Sequence, residues 1–234
     1  MKAIIPVKDN STRVPSKNFK PFYGDKCLFD ITVEKLSKVL NPSDIYMSCE
    51  NEERKPLAEA WGINFLLRDK RLTDNNLPFY DFFNGICDQV PGDDDIAWCH
   101  ATDPLFNSYK ECFDVWQNGV EVLECGAWTT KSIRKRHDSL VVVYPQKDHL
   151  LDDNYNPIGF GFGAWHKISQ ALPTIYQLGF SLSILTRDCI NKNGYYIGKN
   201  PYWYHARNKN VDIDTPEDFE LAQAMYTYYA NKDK

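Results

Sequence analysis

The sequence predicts an α/β fold built on a mostly parallel sheet. Three observations carry that expectation. Short apolar runs alternate with stretches of helical periodicity through the first half of the chain. Turn signals such as Asn41-Pro42 and Pro91-Gly92 separate them. The 234 residues suffice for one large packed domain, and no run is long and apolar enough to span a bilayer. A βαβα rhythm of this kind implies right-handed crossovers, with ligands held at the C-terminal ends of the strands.

The elements follow in order. Residues 2–7 read as a buried strand that opens into a polar loop, 8–17. Residues 28–40 carry apolar side chains at helical spacing and stop before Pro42. Strands are expected over 44–49, 63–67 and 95–100, with helices over 51–61, 77–90 and 108–116. The rhythm breaks near Gly119. Beyond it, 120–130, 140–144, 180–185 and 202–205 are expected strands. The polar stretch 146–162 is expected to be a mobile loop or hairpin, 165–170 a short helix, and 190–193 the end of another. Residues 215–230 close the chain as a helix, with Thr215 as cap, Pro216 in the first turn, and Glu217 and Asp218 at the positive end. The expectation is a single domain over 1–234, with a β-rich substrate or dimerisation lobe at 120–200 inside it.

Composition narrows the function. A formal net charge of −5 excludes a general nucleic-acid binder, which needs a basic face. The opening MKAIIPV runs directly into polar loop chemistry, so no signal peptide is expected. The seven cysteines are odd in number and scattered, with no C-x-x-C pair. They are expected to be buried thiols in a reducing cytoplasm, with neither nucleic acid nor membrane as partner.

Two segments carry chemistry. The first strand delivers Lys8, Arg13 and Lys17 to the sheet edge, with Ser11 and Thr12 beside them. Three cations plus hydroxyls and backbone N–H groups suit a triphosphate, although charge alone fits a solvated loop equally well. Near the other end, Asp212 and Asp214 stand at i and i+2. On an extended segment both point to one side, as a hard cation held by oxygen requires; an acidic helix N-terminus is the alternative.

The opening segment, Ile5-Pro6-Val7-Lys8-Asp9-Asn10-Ser11-Thr12-Arg13-Val14-Pro15-Ser16-Lys17-Asn18, is similar to the first loop of the acylneuraminate cytidylyltransferases, IPARGGSKRIPRKN, and to that of the CMP-Kdo synthetases. Lys8 stands where the family has arginine, and Asp9 and Asn10 replace two glycines. Asp9 is expected to point away or to help hold a metal. Asp212-Ile213-Asp214-Thr215-Pro216-Glu217-Asp218 resembles the family's closing motif, whose aspartates bind magnesium. The segment from Arg68 to Asp74 resembles RPxELxxD, which approaches the base; Arg68 and Leu72 match and Asp74 falls one position early. His100-Ala101-Thr102-Asp103-Pro104-Leu105 resembles QPTSPL, with His100 for the glutamine and Asp103 for the serine. Residues 169–179 resemble RRQDLPxVYRPNGA at Gln170, Leu172, Pro173 and Tyr176, but Ser169 replaces an arginine and Gly179 takes the asparagine position.

The resemblance implies a Rossmann-like nucleotidyltransferase fold of the GT-A type. It implies transfer of CMP from CTP to a small anionic or sugar acceptor for surface-glycan precursors, with release of pyrophosphate. Lys8, Arg13 and Lys17 would act on the phosphates. Pro6, Val7, Ser11, Thr12, Asn18, Arg68, Asp74, Thr102 and Asp103 would hold the nucleotide, with Asp103 also a possible metal ligand. His100, Gln170, Tyr176 and Gln177 would meet the acceptor, Asp212 and Asp214 would bind Mg2+, and the protein would be a homodimer. A glycosyltransferase using Asp212 and Asp214 for a nucleotide sugar, or a non-catalytic nucleotide binder, are the rival expectations. With Ser169, Gly179 and His100 in place of arginine, asparagine and glutamine, the acceptor is expected not to be ordinary sialic acid. Lys131, Arg134, Lys135, Arg136, His166 or Lys167 would then supply the missing charge.

Overall fold

A computed structural model describes residues 1–9, 11–74, 76–125 and 130–232, and over 120–125 and 130–135 the backbone alone. Strand β1 (Lys2–Pro6) is followed by the small hairpin β2 (Pro21–Tyr23) and β3 (Lys26–Cys27), then by α1 (Leu28–Leu36). Next come β4 (Ile45–Cys49), α2 (Lys55–Ala60), β5 (Asn64–Leu67), α3 (Phe79–Cys87), β6 (Ile96–Cys99) and α4 (Tyr109–Asn118). The rest comprises β7 (Val120–Cys125), β8 (Thr130–Lys135), β9 (Ser139–Gln146), β10 (Ile175–Leu185), α5 (Arg187–Asn193), β11 (Pro201–His205) and α6 (Pro216–Lys232).

Seven strands form one sheet in the order β11-β9-β10-β6-β1-β4-β5. The run β6-β1-β4-β5 is parallel, as the βαβ rhythm predicts. Strand β10 enters antiparallel to both β6 and β9, and β11 lies parallel to β9. Every strand of the sheet except β10 therefore ends at one edge, and β10 begins there. That edge is where the loop 8–17 leaves β1.

Alternation along the strands sorts two cores, one on each face. Ala3, Ile5, Ala97 and Cys99 pack under α1 with Leu28, Ile31 and Ile213. Ile4, Ile96 and Trp98 pack on the opposite face with Phe83, Ile86 and Tyr196. Among the described residues six buried cysteines carry free thiols. Among the described residues no helix is long and apolar enough to cross a membrane.

The second half departs most from the expected elements. The strand expected over 120–130 is the hairpin β7–β8, and 126–129 lie outside the described residues, as do Asn10 and the side chains of Lys131, Arg134 and Lys135. The helix expected over 165–170 is instead two separate 3-10 turns, Gly163–Trp165 and Ser169–Ala171. The stretch 146–162 holds a turn bridged at Leu151 and Pro157, with Asp152 accepting from the N–H groups of Asn154 and Asn156. Within 120–200, β9 and β10 join the central sheet; hairpin β7–β8 and the largely exposed stretch 147–174 stay outside it. The hairpin β2–β3 had no apolar alternation to announce it.

Candidate active site

The loop after β1 folds on its own hydrogen bonds. Ser11 Oγ accepts from Val14 N–H, Lys17 N–H donates to the Val14 carbonyl, and Ser16 takes φ 50, which lets the chain reverse. Asn18 Nδ2 donates to the Lys8 carbonyl at 3.2 Å, and the Asn18 carbonyl accepts from Phe29 N–H, tying the loop to α1. The loop encloses a cleft of about 500 Å³ lined by Pro6, Lys8, Ser11, Thr12, Arg13, Lys17, Asn18, His100, Ala101 and Thr102. Residues expected on the phosphates from the sequence thus share one cavity.

Asp9 does not join them. Its carboxylate accepts from Arg54 Nε at 2.5 Å and Asn51 Nδ2 at 3.0 Å. Burial would raise its pKa, yet the bonds to Asn51 and Arg54 hold it below the ordinary value. The extra charge is neutralised by Arg54 and Asn51, outside the cleft lining, which answers why an acid is tolerated where the resembled motif has glycine.

The closing motif arrives from the other end of the chain. Ile213 N–H donates to the Thr102 carbonyl at 2.9 Å, pinning the segment to the loop after β6. Arg13 Nη2 bonds Asp214 Oδ1 at 2.7 Å, Lys17 Nζ lies 3.6 Å from the same oxygen, and Lys17 also donates to the Ile213 carbonyl. Thr215 and Asp218 cap α6 reciprocally: Asp218 N–H donates to Thr215 Oγ1, and Asp218 Oδ2 accepts from Thr215 N–H and Asp214 N–H. The cap expected at Thr215 therefore also fixes the backbone of Asp214. Burial raises the Asp212 carboxyl; Thr102 and Lys17 oppose that rise and Asp214 adds to it. Burial lowers the Lys17 ammonium, against the pull of Asp214 and Asp212.

A second cleft of about 430 Å³ adjoins the first, with Pro6, Lys8 and His100 in both walls. It is lined by Leu72, Leu77, Phe79 and Phe82 together with Arg68, Thr73 and Asp74. Lys8 Nζ donates to the Thr73 carbonyl at 3.1 Å and marks the boundary. An apolar slot beside a cationic cleft suits a planar ring carrying phosphates. Asp74 caps its own turn through Asn76.

Some expected residues are placed otherwise. Val7 is core: its N–H donates to the Ser48 carbonyl and its carbonyl accepts from Arg68. Arg68 is buried, paired with Glu50 Oε2 at 2.6 Å and bonded to the Val7 carbonyl, so it braces β1 against β4 while lining the second cleft. Asp103 is buried behind the site, where Tyr144 OH donates to its Oδ2 at 2.5 Å and Ser181 Oγ stands 3.0 Å from the same hydroxyl. Asp103 lines neither cleft; burial raises its carboxyl, with Tyr144, Ser181 and Lys35 opposing. Gln170, Tyr176 and Gln177 line neither cleft either. Because β10 pairs with β6 only from Leu182, Tyr176 lies about four residues, roughly 13 Å of strand, beyond Phe180. There its ring packs on His205 at 4.8 Å, and Gln177 Oε1 accepts from Gln146 Nε2.

Sequence reasoning missed Trp98 and Tyr196, which with Phe180, expected beside Gly179 as an apolar wall, surround His100 at centroid distances of 6.2, 5.8 and 6.0 Å. Trp98 was legible in part, since it shares a strand face with His100 by the period of two. Lys35 was also missed. Its ammonium donates to the Pro104 and Phe106 carbonyls, holding the loop after β6, and burial lowers it to about 8.

The fold is similar to that of solved nucleotidyltransferases. It superposes on CMP:2-keto-3-deoxy-manno-octonic acid synthetase complexed with CTP at TM-score 0.65 and 10% identity, covering 97% of this chain and 98% of that one. A 4-diphosphocytidyl-2C-methyl-D-erythritol synthase from Anaerococcus prevotii matches at TM-score 0.59 and 10% identity, over 97% and 96% of the two chains. At the level of sequence, residues 2–111 match the cytidylyltransferase family model, and the resemblance to the acylneuraminate cytidylyltransferases stands. The chain is 20% identical over 237 residues to an N-acylneuraminate cytidylyltransferase of Streptococcus agalactiae, covering 99% of this chain and 54% of that protein. It is 26% identical over 245 residues to a pseudaminic acid cytidylyltransferase of Campylobacter jejuni, covering 95% of this chain and 94% of that protein. The chain thus spans about half the length of the N-acylneuraminate relatives and nearly all of the pseudaminic acid relative.

Proposed function

We propose that this protein transfers CMP from CTP to a small acidic or sugar-like acceptor and releases pyrophosphate. The observation that carries the reading is the meeting of two distant segments: Arg13 and Lys17, which line the cleft, both reach Asp214, two residues on from Asp212. Lys8, Arg13 and Lys17 neutralise the triphosphate, with Ser11, Thr12 and Asn18 as hydrogen-bonding partners. The acceptor hydroxyl oxygen attacks the α-phosphorus; the bond from that phosphorus to the bridging oxygen breaks, pyrophosphate leaves with that electron pair, and the hydroxyl proton passes to solvent. Arg13 and Lys17 stabilise the charge that develops on it. The apolar slot of Leu72, Leu77, Phe79 and Phe82 takes the base.

The residues fit Mg2+. Asp212 is a partly buried carboxylate with no ion pair among the described residues, and Asp214 adds oxygens next to it. Among the described residues no larger cluster of metal-ligating side chains occurs. One or two carboxylates, completed by phosphate oxygens and water, are what Mg2+ takes. Asp212 and Asp214 would hold the ion, which when bound supplies charge neutralisation and an acidified acceptor hydroxyl.

The acceptor belongs to the class named by the relatives, the nonulosonic acids, but is gripped differently from N-acetylneuraminic acid. A Cβ at Gly179 would stand 2.5 Å from Tyr144 Cε2, so no asparagine fits there while Tyr144 holds Asp103. The reaction runs in the cytoplasm, in keeping with the free buried thiols. A homodimer covers the exposed apolar side chains of the stretch 155–168, where Trp165 is 81% and Phe162 63% exposed.

Pyrophosphate release from CTP, UTP, ATP and GTP, with and without Mg2+ and across a panel of sugar acids, tests the reading. CTP with Mg2+ is expected to be preferred. Equal binding of all four nucleotides in calorimetry would overturn it.

A further inference from the structure

His100 stands where both clefts meet, and its ring nitrogens differ in a way the structure resolves. Trp98 Nε1 lies 2.8 Å from His100 Nε2. An indole N–H can only donate, so Nε2 must accept. An imidazole that accepts at Nε2 carries its proton on Nδ1. That nitrogen has no hydrogen-bond partner among the described residues, and its ring lines both clefts. Phe180 and Tyr196 pack against the ring at 6.0 and 5.8 Å and hold its plane.

We infer, on the basis of the transfer reading above, that Trp98 is a positioning residue that locks His100 as a neutral imidazole protonated at Nδ1, and that His100 thereby selects an acceptor presenting an oxygen lone pair at that point. A carboxylate, carbonyl or hydroxyl oxygen satisfies the N–H; an ammonium group leaves it unpaired. The glutamine of the resembled family can turn either a donor or an acceptor to the ligand, whereas this locked ring offers the donor alone. Its Nε2 lone pair is engaged by Trp98, so His100 does not take the proton of the acceptor hydroxyl. Burial and the nearby charge of Lys17 hold the ring neutral, its pKa lowered to about 4.

The test begins with the tautomer. In 15N-labelled full-length protein between pH 6 and 8, His100 Nε2 is expected at the shift of an unprotonated nitrogen and Nδ1 at that of a protonated one. Trp98→Phe keeps an aromatic ring but removes the indole N–H. It is expected to move population to the Nε2–H tautomer. It should also raise KM for pseudaminic acid roughly tenfold, as loss of one aligned hydrogen bond does, with KM for CTP unchanged. His100→Gln is expected to keep acceptor affinity where His100→Ala loses it. A wild-type His100 protonated at Nε2, or a folded Trp98→Phe with tautomer and acceptor KM unchanged, overturns the inference. Should wild type release no pyrophosphate with any sugar acid, the transfer reading fails on its own, and the tautomer still decides the role of Trp98.

Discussion

Arg13 Nη2 stands 2.7 Å from Asp214 Oδ1, joining residues 201 positions apart in the chain. Both partners are well exposed, 63% and 47%, so the pair contributes little to stability. Its significance lies in placement. A cation suited to phosphate rests on a carboxylate suited to metal, and a bound metal–triphosphate would satisfy both groups at once.

The carboxylates should therefore matter for turnover and not for folding. Asp212→Asn and Asp214→Asn each remove a charged oxygen with little change in shape. Pyrophosphate release is expected to fall on the order of 100-fold or more, with the melting temperature within a few degrees of wild type. Variants that keep near-normal rates would reduce the pair to helix-end acids.

His100 should leave a mark on acid stability. Its folded pKa of about 4 lies below the ordinary 6.5. Between those values the unfolded chain binds a proton that the folded chain refuses. The stabilisation is complete above pH 6.5 and is lost as pH falls towards 4. Urea midpoints at pH 7 and pH 5 should therefore diverge less in His100→Gln than in wild type. Equal divergence would show that His100 titrates normally.

Gly179 and Tyr144 should be coupled. The Cβ of Gly179→Asn would meet the Tyr144 ring at 2.5 Å and the Val142 carbonyl at 3.1 Å. The single variant is expected to lose roughly 1–3 kcal/mol through overpacking. Adding Tyr144→Ala should recover part of that loss, giving a non-additive double-mutant cycle in chemical denaturation. Strict additivity would mean that the two sites do not touch.

N-acetylneuraminic acid should be a poor acceptor. Ser169 lacks the bidentate fork of an arginine, and Gly179 offers no side-chain donor. Turnover with this acid is expected below roughly 1 per second, slow for an ordinary enzyme. A rate at or above that value would restore the ordinary sialic acid reading.

Assembly can be read directly. Light scattering at high concentration is expected to give twice the chain mass of 27.2 kDa. Charged substitutions at Trp165 and Phe162 should shift the protein to monomer. A monomeric wild type would leave that apolar surface unaccounted for by self-association.

The loop at Lys8–Lys17 and the pair Asp212 and Asp214 were legible in the sequence because their chemistry is local. Charges at set spacing on a strand end and a capped helix start keep their meaning wherever the chain packs. The parallel half of the sheet was legible for a similar reason: apolar periods of two and near four label strand and helix one window at a time. That Gln170, Tyr176 and Gln177 line neither cleft was not legible, because motif similarity says nothing of how far β10 runs before it meets β6. Asp9 and Asp103 looked like site acids and became buried or braced partners of Arg54 and Tyr144.

The sequence by itself determined the α/β class and the capped helix that positions Asp214, and it singled out the residues proposed for phosphate and metal chemistry. Only the tertiary structure decided which charges face the cleft, which proton His100 keeps, and why Gly179 bears no side chain. Those outcomes depend on contacts such as Trp98 to His100, Tyr144 to Asp103 and Arg13 to Asp214, made once separate strands are brought to one edge. A local pattern fixes where a side chain sits on its own element. What it touches is set by the packing of elements far apart in the chain, where burial makes every polar group find a partner or shift its protonation.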